Sequence, residues 1–153
     1  MKVEGSTFLV TGGSSGLGLA ASEELFMRGA NIVIADLLHA ELAHFQGKSH
    51  HTNNRIVYSK TSVTEPESIQ DTVGLAFREF GVLHGVINCA GIGAIVKTVA
   101  KKKFGALENA RRVIEINLLG TYNVVSIAAS AMSAQAANAD GERGVFINTA
   151  SVA

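Results

Sequence analysis

A glycine-rich segment between a short apolar run and a helical pattern has the spacing of a phosphate-binding loop. It covers residues 11–18 and reads Thr-Gly-Gly-Ser-Ser-Gly-Leu-Gly. Gly12 permits a tight turn, Gly16 lets the backbone approach a pyrophosphate, and Gly18 lets a helix pack closely on the preceding strand. The amides of residues 15–17 would then point from a helix amino end towards an anion. No Gly-Lys-Ser/Thr sequence follows, which disfavours a site for nucleoside triphosphates.

A carboxylate downstream strengthens the prediction of a dinucleotide site. Asp36 follows the second apolar run and lies 18 residues after Gly18. This is close to the spacing of about 20 residues at which an acidic residue accepts bonds from the adenosine ribose. A carboxylate there repels a 2′-phosphate, which favours NAD over NADP. The alternative is that Asp36 only caps the next segment.

Alternating strands and helices are predicted to position these groups. Apolar runs rich in β-branched residues predict strands at residues 7–11, 31–35, 55–59, 83–88 and 144–149. Helical periodicity predicts helices at 17–28, from 64 to 80 and at about 109–135, with a short helix and polar loop within 37–54. Strands that are apolar on both faces indicate a doubly wound parallel sheet, Rossmann-type, in the order 3-2-1-4-5. We predict one incomplete dinucleotide-binding domain over residues 1–153, truncated after the fifth strand.

The same periodicity predicts which helix faces are buried. For the first helix it selects a stripe of Leu17, Ala20, Ala21 and Leu25, and for the long helix a stripe of Val113, Ile116, Gly120, Val124, Ile127 and Ala131. Thr64 and Glu67 have the spacing of a capping box at the start of the middle helix, with Pro66 in its first turn.

Composition excludes several functions. The 13 basic and 13 acidic side chains balance, which gives no electrostatic reason to expect nucleic acid or an anionic membrane as partner. The five histidines show no metal-ligand spacing, so no metal is expected. No continuous apolar stretch reaches the length of a membrane span, and the first strand begins too early for a secretory signal. The single cysteine, Cys89, fits a reducing compartment, and we expect the cytoplasm or the mitochondrial matrix.

Four motifs in this order resemble the classical short-chain dehydrogenase/reductase family. They are the glycine segment at 11–18, Asn-Cys-Ala-Gly at 88–91, Asn117 within Ile-Asn-Leu-Leu-Gly-Thr, and Asn-Thr-Ala-Ser at 148–151. The segments 116–124 and 148–153 are further similar to a subgroup of that family whose substrates are 3-hydroxyacyl-CoA or hydroxysteroid molecules. The resemblance implies NAD-dependent interconversion of a secondary alcohol and a ketone in a homotetramer, with no nucleic-acid or membrane partner.

The resemblance also implies roles for individual residues. Ser151 would hold the substrate oxygen, and Asn117 would stabilise a water in a proton relay. The implied cofactor-binding residues are Gly12, Ser15, Gly16, Leu17, Gly18, Asp36, Ser62, Val63, Asn88, Cys89, Ala90 and Gly91. The alternative for Cys89, a nucleophile, is disfavoured relative to a small buried residue because no histidine lies beside it in sequence.

Two departures from the family pattern affect the expected activity. Ser62 stands where the family usually has an aspartate, which predicts weaker adenine binding. The family's Tyr-x-x-x-Lys pair is missing, because serine follows four residues after both Tyr58 and Tyr122. General acid–base catalysis contributes roughly 10² to 10⁴ in rate, so we expect the 153-residue chain alone to be essentially inactive. The alternative is a non-catalytic nucleotide-binding or subunit-interaction module.

Overall fold

Five parallel strands form one sheet in the computed structural model, which describes residues 2–51, 53–94 and 106–151. The strands are β1 Thr7–Thr11, β2 Asn31–Asp36, β3 Ile56–Lys60, β4 Gly85–Asn88 and β5 Val145–Asn148. Their spatial order is β3-β2-β1-β4-β5, and each neighbouring pair is parallel. The predicted fold class and strand order are therefore confirmed, with strand ends within two residues of the predicted ones.

Helices connect the strands on both faces of the sheet. They are α1 Gly16–Met27, α2 Pro66–Phe80, α3 Ala106–Val113 and α4 Thr121–Ser133, with a short 3-10 helix at Leu42–Phe45. A π-helical segment, Ile114–Gly120, joins α3 to α4 within one continuous helical stretch. The single long helix predicted at 109–135 is thus interrupted by a wider turn, a feature that often accompanies functional sites.

Alternate strand residues supply two separate cores. On one face, residues such as Val10 and Ile34 pack with Phe26 of α1. On the other face, residues such as Leu9 pack with α2 and α4. This division follows from the two-residue period of a strand. The connection after β1 and the connection after β4 therefore lie on opposite faces, and a crevice opens between these neighbouring strands at their carboxyl ends.

The predicted apolar stripe of α1 is right for Ala21 and Leu25, which are half-buried against the core, and wrong for Leu17 and Ala20, which are exposed. The buried positions are Gly18, Ser22 and Phe26, whereas Leu17 is 74% exposed. The helix turns a glycine and a serine to the sheet because its first turn packs against the backbone of the glycine segment. The Ser22 hydroxyl is satisfied there by donating to the Gly18 carbonyl oxygen at 2.8 Å.

The long helix and the middle helix differ in smaller ways. In α4 the buried positions are Val124, Ala128 and Met132, while Ile127 and Ala131 are half-buried at the margin of the core. The predicted capping box of α2 does not form, because the N-cap is Glu65 and makes no side-chain cap bond. Thr64 pairs instead with the Ser62 hydroxyl at 2.9 Å.

The helical stretch Leu107–Ser133 also corrects an expectation. By length and composition it is long and apolar enough to cross a membrane, although no continuous apolar run in the sequence reaches that length. Its charged residues all lie between Glu108 and Glu115, and apolar and uncharged polar residues make up the rest. Helices that pack in a protein core pass the same test, and Val124, Ala128 and Met132 belong to the core described above.

Candidate functional site

A cleft of about 680 Å³ lies at the carboxyl ends of the central strands. It contains eleven of the twelve residues predicted to bind a cofactor, namely Gly12, Ser15, Gly16, Leu17, Gly18, Asp36, Ser62, Val63, Cys89, Ala90 and Gly91. Segments that are far apart in sequence meet there because parallel strands end at one edge of the sheet.

The glycine segment forms the centre of the cleft. A side chain at Gly18 would place its Cβ 2.7 Å from the Gly12 carbonyl carbon, so only glycine allows the helix to approach the loop. Gly16 has φ +52°, and the space beside it is open. The first bond within α1 runs from the Leu19 amide to the Ser15 carbonyl at 3.0 Å. The preceding amides of residues 16–18 therefore have no helical partner and are available to an anion.

Thr11 ties the floor of the cleft together, a role that the sequence analysis missed. Its Oγ1 accepts bonds from the Cys89 and Ala90 amides, each at 3.2 Å, and donates to the Asn88 Oδ1 at 3.4 Å. A Cβ at Gly12 would come within 2.8 Å of the Ala90 amide nitrogen. The ends of β1 and β4 are thus held in contact. The signal was a threonine directly before the glycines, on a strand that pairs with β4.

Asp36 anchors the glycine segment 11–18, the candidate phosphate loop, as well as facing the cleft. Its Oδ2 accepts a bond from the Ser14 amide and its Oδ1 one from the Leu38 amide, both at 3.0 Å. The Ser14 hydroxyl also donates to the Leu38 carbonyl at 3.0 Å. The bond from the Leu38 amide is the interaction that the capping interpretation of Asp36 predicts. Each carboxylate oxygen accepts about two bonds, so capacity remains for ribose hydroxyls.

Ser62 and Val63 occupy the end of the cleft beside β3. The Ser62 amide donates to the Ser68 hydroxyl at 3.0 Å. The Val63 carbonyl already accepts a bond from the Asn123 side-chain amide at 3.0 Å. A Cβ at Gly120 would lie 2.6 Å from the Val63 side chain, so the π-helical segment rests directly on this loop. Val63 is held rigidly, and one acceptor position of its carbonyl is in use.

Asn88 lies beneath the cleft rather than in its lining. Its side chain is buried, with 3% exposure, and its Nδ2 donates to the Asn148 Oδ1 at 2.8 Å. It connects the ends of β1, β4 and β5, so its position supports the cleft indirectly. The neighbouring Cys89 lines the cleft, and burial raises the pKa of its thiol. A raised pKa keeps the thiol protonated, which favours the packing role over the nucleophile.

The two residues predicted to be catalytic lie outside the cleft lining. Asn117, in the π-helical segment, pairs with the backbone of Ile92, accepting from its amide and donating to its carbonyl at 2.9 Å each. Both ends of the Asn117 side chain are thus used to fix the loop that follows β4. Ser151 is exposed and follows β5 by three residues. The segment 148–153 that carries the resemblance continues to residues 152 and 153, which lie outside the described residues.

Several cleft residues were not identified from the sequence. Leu37 and Leu38 flank Asp36, and the helical stretch contributes Arg112, Glu115 and Ile116. The last three recur at positions i, i+3 and i+4, the spacing of one helix face, and this periodicity could have revealed them. Among the described residues, no group of three His, Cys, Asp or Glu side chains could hold a metal ion.

This geometry agrees with comparisons to known proteins. The short chain dehydrogenase family profile matches residues 6–153, and the chain belongs to that family. It is 39% identical over 153 residues to a human protein and 40% identical over 156 residues to one from Drosophila melanogaster, both named 3-hydroxyacyl-CoA dehydrogenase type-2. These alignments cover 99% of this chain and 58% and 59% of the relatives. The resemblance to that subgroup is confirmed.

Solved structures show the same fold. A short-chain type dehydrogenase/reductase from Mycobacterium ulcerans superposes with a TM-score of 0.80 at 25% identity, over 99% of this chain and 53% of that one. A short chain dehydrogenase from Mycobacterium smegmatis gives 0.80 at 22% identity, over 98% and 59%. The chain thus spans little more than half the length of its relatives.

Proposed function

We propose that this chain is the NAD-binding portion of an oxidoreductase that interconverts a secondary alcohol and a ketone on 3-hydroxyacyl-CoA or hydroxysteroid substrates. The observation that carries the proposal is the open phosphate loop with a carboxylate beside it in one cleft. The names of the relatives, 3-hydroxyacyl-CoA dehydrogenase type-2, support the substrate class.

The residues of the cleft fit a dinucleotide. The free amides of residues 16–18 would bind the pyrophosphate, and the open space beside Gly16 leaves room for its oxygens. Asp36 would accept the ribose hydroxyls with the carboxylate capacity left by its two amide bonds. A 2′-phosphate at that ribose would meet the negative charge of Asp36. NAD would supply the hydride acceptor when bound, and these residues would orient it.

The chemical step needs more than this chain contains. Ser151 is proposed to hold the substrate oxygen and Asn117 to fix the backbone around Ile92 on the same edge of the sheet. Neither tyrosine begins a Tyr-x-x-x-Lys sequence. The Tyr58 hydroxyl donates to the Asp36 carbonyl oxygen at 3.2 Å. We therefore expect no measurable hydride transfer from the 153-residue chain alone.

An exposed apolar face supports assembly into a homotetramer. Leu118, Leu119 and Tyr122 lie on the long helical stretch and are between 56% and 71% exposed. Adjacent exposed apolar side chains of this size usually mark an interaction surface. The same face supports the second candidate, a non-catalytic module that pairs with other subunits.

Calorimetric titration of the purified chain tests the proposal. We expect NAD and ADP-ribose to bind with similar affinity, and NADP to bind at least tenfold more weakly, about 1.4 kcal/mol. Asp36→Ala should remove this preference for NAD over NADP. Asp71→Ala, the same change at an exposed position of α2, should retain it. A folded chain that ignores ADP-ribose at millimolar concentration refutes the proposal.

The coding sequence after residue 153 separates the two candidates. A continuation that encodes Tyr-x-x-x-Lys, together with hydride transfer by the longer protein, supports the enzyme. A stop codon, together with a chain that binds nucleotide and associates with itself, supports the module.

A further inference from the structure

The far end of the cleft carries two charged side chains that the dinucleotide roles above do not use. Arg112 and Glu115 line the cleft from the helical stretch, together with Ser62 and Thr64 of the loop after β3. Both are exposed. Within the part of the chain that the structure describes, neither forms a side-chain hydrogen bond or ion pair. Two charged side chains about one helical turn apart, unpaired among the described residues and lining a nucleotide-sized cleft, are available to a ligand.

Their position relative to the phosphate loop identifies the part of the ligand they face. The order β3-β2-β1 places the phosphate loop, then Asp36, then the loop 61–64 in a row along the edge of the sheet. A dinucleotide with its pyrophosphate at the α1 amides and its ribose at Asp36 therefore puts its adenine at the loop 61–64. The π-helical segment rests on Val63 through Gly120. Glu115 of this segment and Arg112 just before it line the same cleft as the loop 61–64.

The walls of this end suit a flat heterocycle. Leu37 and Leu38 are 62% and 66% exposed on one side of the cleft, and Ile116 lies on the other. The side chains of Ser62 and Thr64 on the β3 side offer hydroxyls, which are bonded to each other at 2.9 Å. A neutral hydroxyl is a weaker acceptor than a carboxylate for the amino group of adenine. Glu115 is the carboxylate among the described residues of this end.

We propose that Glu115 accepts the hydrogen bond of the adenine 6-amino group and that Arg112 stacks its guanidinium on the base, so that the end of α3 and the start of the π-helical segment supply base specificity. The inference rests on the proposed function, since it requires an adenine nucleotide in this cleft. Guanidinium groups stack readily on aromatic faces, and a carboxylate discriminates an amino group from a carbonyl oxygen at the same position.

Comparison of two nucleotides isolates the amino group. IDP differs from ADP in having a carbonyl oxygen where adenine has its amino group, and it retains the phosphates and ribose. We expect the full chain to bind ADP about tenfold more tightly than IDP, the size of one charge-assisted hydrogen bond in a partly exposed site. Glu115→Ala should reduce this ratio to near one, mainly through weaker ADP binding. Arg112→Ala should weaken ADP and IDP alike, by about threefold to tenfold.

Each variant has a matched control on the same continuous helical stretch. Glu108→Ala removes an exposed carboxylate and Arg111→Ala an exposed guanidinium, and neither residue lines the cleft. Thermal unfolding verifies that all four variants fold. If wild-type chain binds ADP but Glu115→Ala discriminates against IDP as Glu108→Ala does, the inference is wrong and the proposed function stands. If wild-type chain binds neither ADP nor ADP-ribose, both fail.

Discussion

Alanine at two glycines of the phosphate loop should separate folding from binding. At Gly18 a new Cβ would meet the Gly12 carbonyl carbon at 2.7 Å, whereas carbon atoms pack comfortably at about 3.5–4.0 Å. The obstacle is backbone, so the loop or the helix must move by about 1 Å. Overpacking of a tight site typically costs about 1–3 kcal/mol of stability. Because backbone lies on both sides of the clash, we expect Gly18→Ala to cost about 3 kcal/mol, the upper end of this range.

At Gly16 the cost has a different origin. The added Cβ meets no atom within 4 Å, but φ +52° is left-handed and costs a non-glycine residue about 1–2 kcal/mol. The methyl group would also occupy the space that the pyrophosphate needs. We therefore expect Gly16→Ala to lose at least tenfold in ADP-ribose affinity while losing less unfolding free energy than Gly18→Ala.

Urea unfolding monitored by circular dichroism measures the loss of unfolding free energy, and calorimetric titration measures the loss of ADP-ribose affinity. Gly74→Ala, inside α2, is the matched control, because its new Cβ would meet only the mobile end of Arg78 and the helix should gain about 0.5–1 kcal/mol. If Gly18→Ala is no less stable than Gly16→Ala, the packing argument is wrong. If Gly16→Ala binds ADP-ribose as wild type does, the loop does not hold the pyrophosphate.

Three further predictions concern groups outside the phosphate loop. Burial lowers the pKa of His84 from about 6.5, and its Nδ1 accepts a bond from the Thr7 amide at 3.0 Å, which requires the neutral ring. Since the unfolded chain binds the proton more readily, the free energy of unfolding should fall as pH drops below about 6.5. His84→Asn keeps an acceptor that does not titrate there, so urea unfolding should show that it loses less unfolding free energy than wild type between pH 7 and pH 5. An equal pH dependence of the two proteins would contradict this. The buried Thr72 hydroxyl bonds to the Ser59 and Thr61 hydroxyls and to the Ser68 carbonyl at 2.7–2.8 Å. Thr72→Val should therefore cost about 2 kcal/mol of unfolding free energy. A loss below about 0.5 kcal/mol would show that the network contributes little to stability. Asn117→Ala removes both bonds to Ile92 in an exposed setting and should cost about 1 kcal/mol, with faster amide exchange at Ile92 by NMR; unchanged exchange would refute the pairing.

The sequence predicted the order of elements well because each signal was local and strong. Strands such as 31–36 are continuous apolar runs, and α2 has a clear helical period that Gly81 ends in the left-handed conformation. The glycine spacing and Asp36 pointed to residues that do line one cleft, because the glycines set the local backbone geometry and Asp36 ends a clearly marked strand.

The errors arose where tertiary contacts override local pattern. The face of α1 is set by Gly18 against the loop, which places Leu17 in the cleft, although a hydrophobicity pattern assigns Leu17 to the core. The π-helical turn at 114–120 leaves no mark in the periodicity. Arg112 and Glu115 line the cleft on a helical stretch that rests on Val63 through Gly120, a contact between positions 57 residues apart.

Under the proposed function Asp36 has two roles, binding the ribose and restraining the loop, and this would restrict how the protein could change its cofactor. A neutral or basic residue at position 36 would welcome a 2′-phosphate, yet it would also release the Ser14 and Leu38 amides that the carboxylate now restrains. An evolutionary path between the two dinucleotides through this position alone therefore passes through an intermediate with a loosened loop. A second substitution that restrains Ser14 must come first, or together with the change of charge.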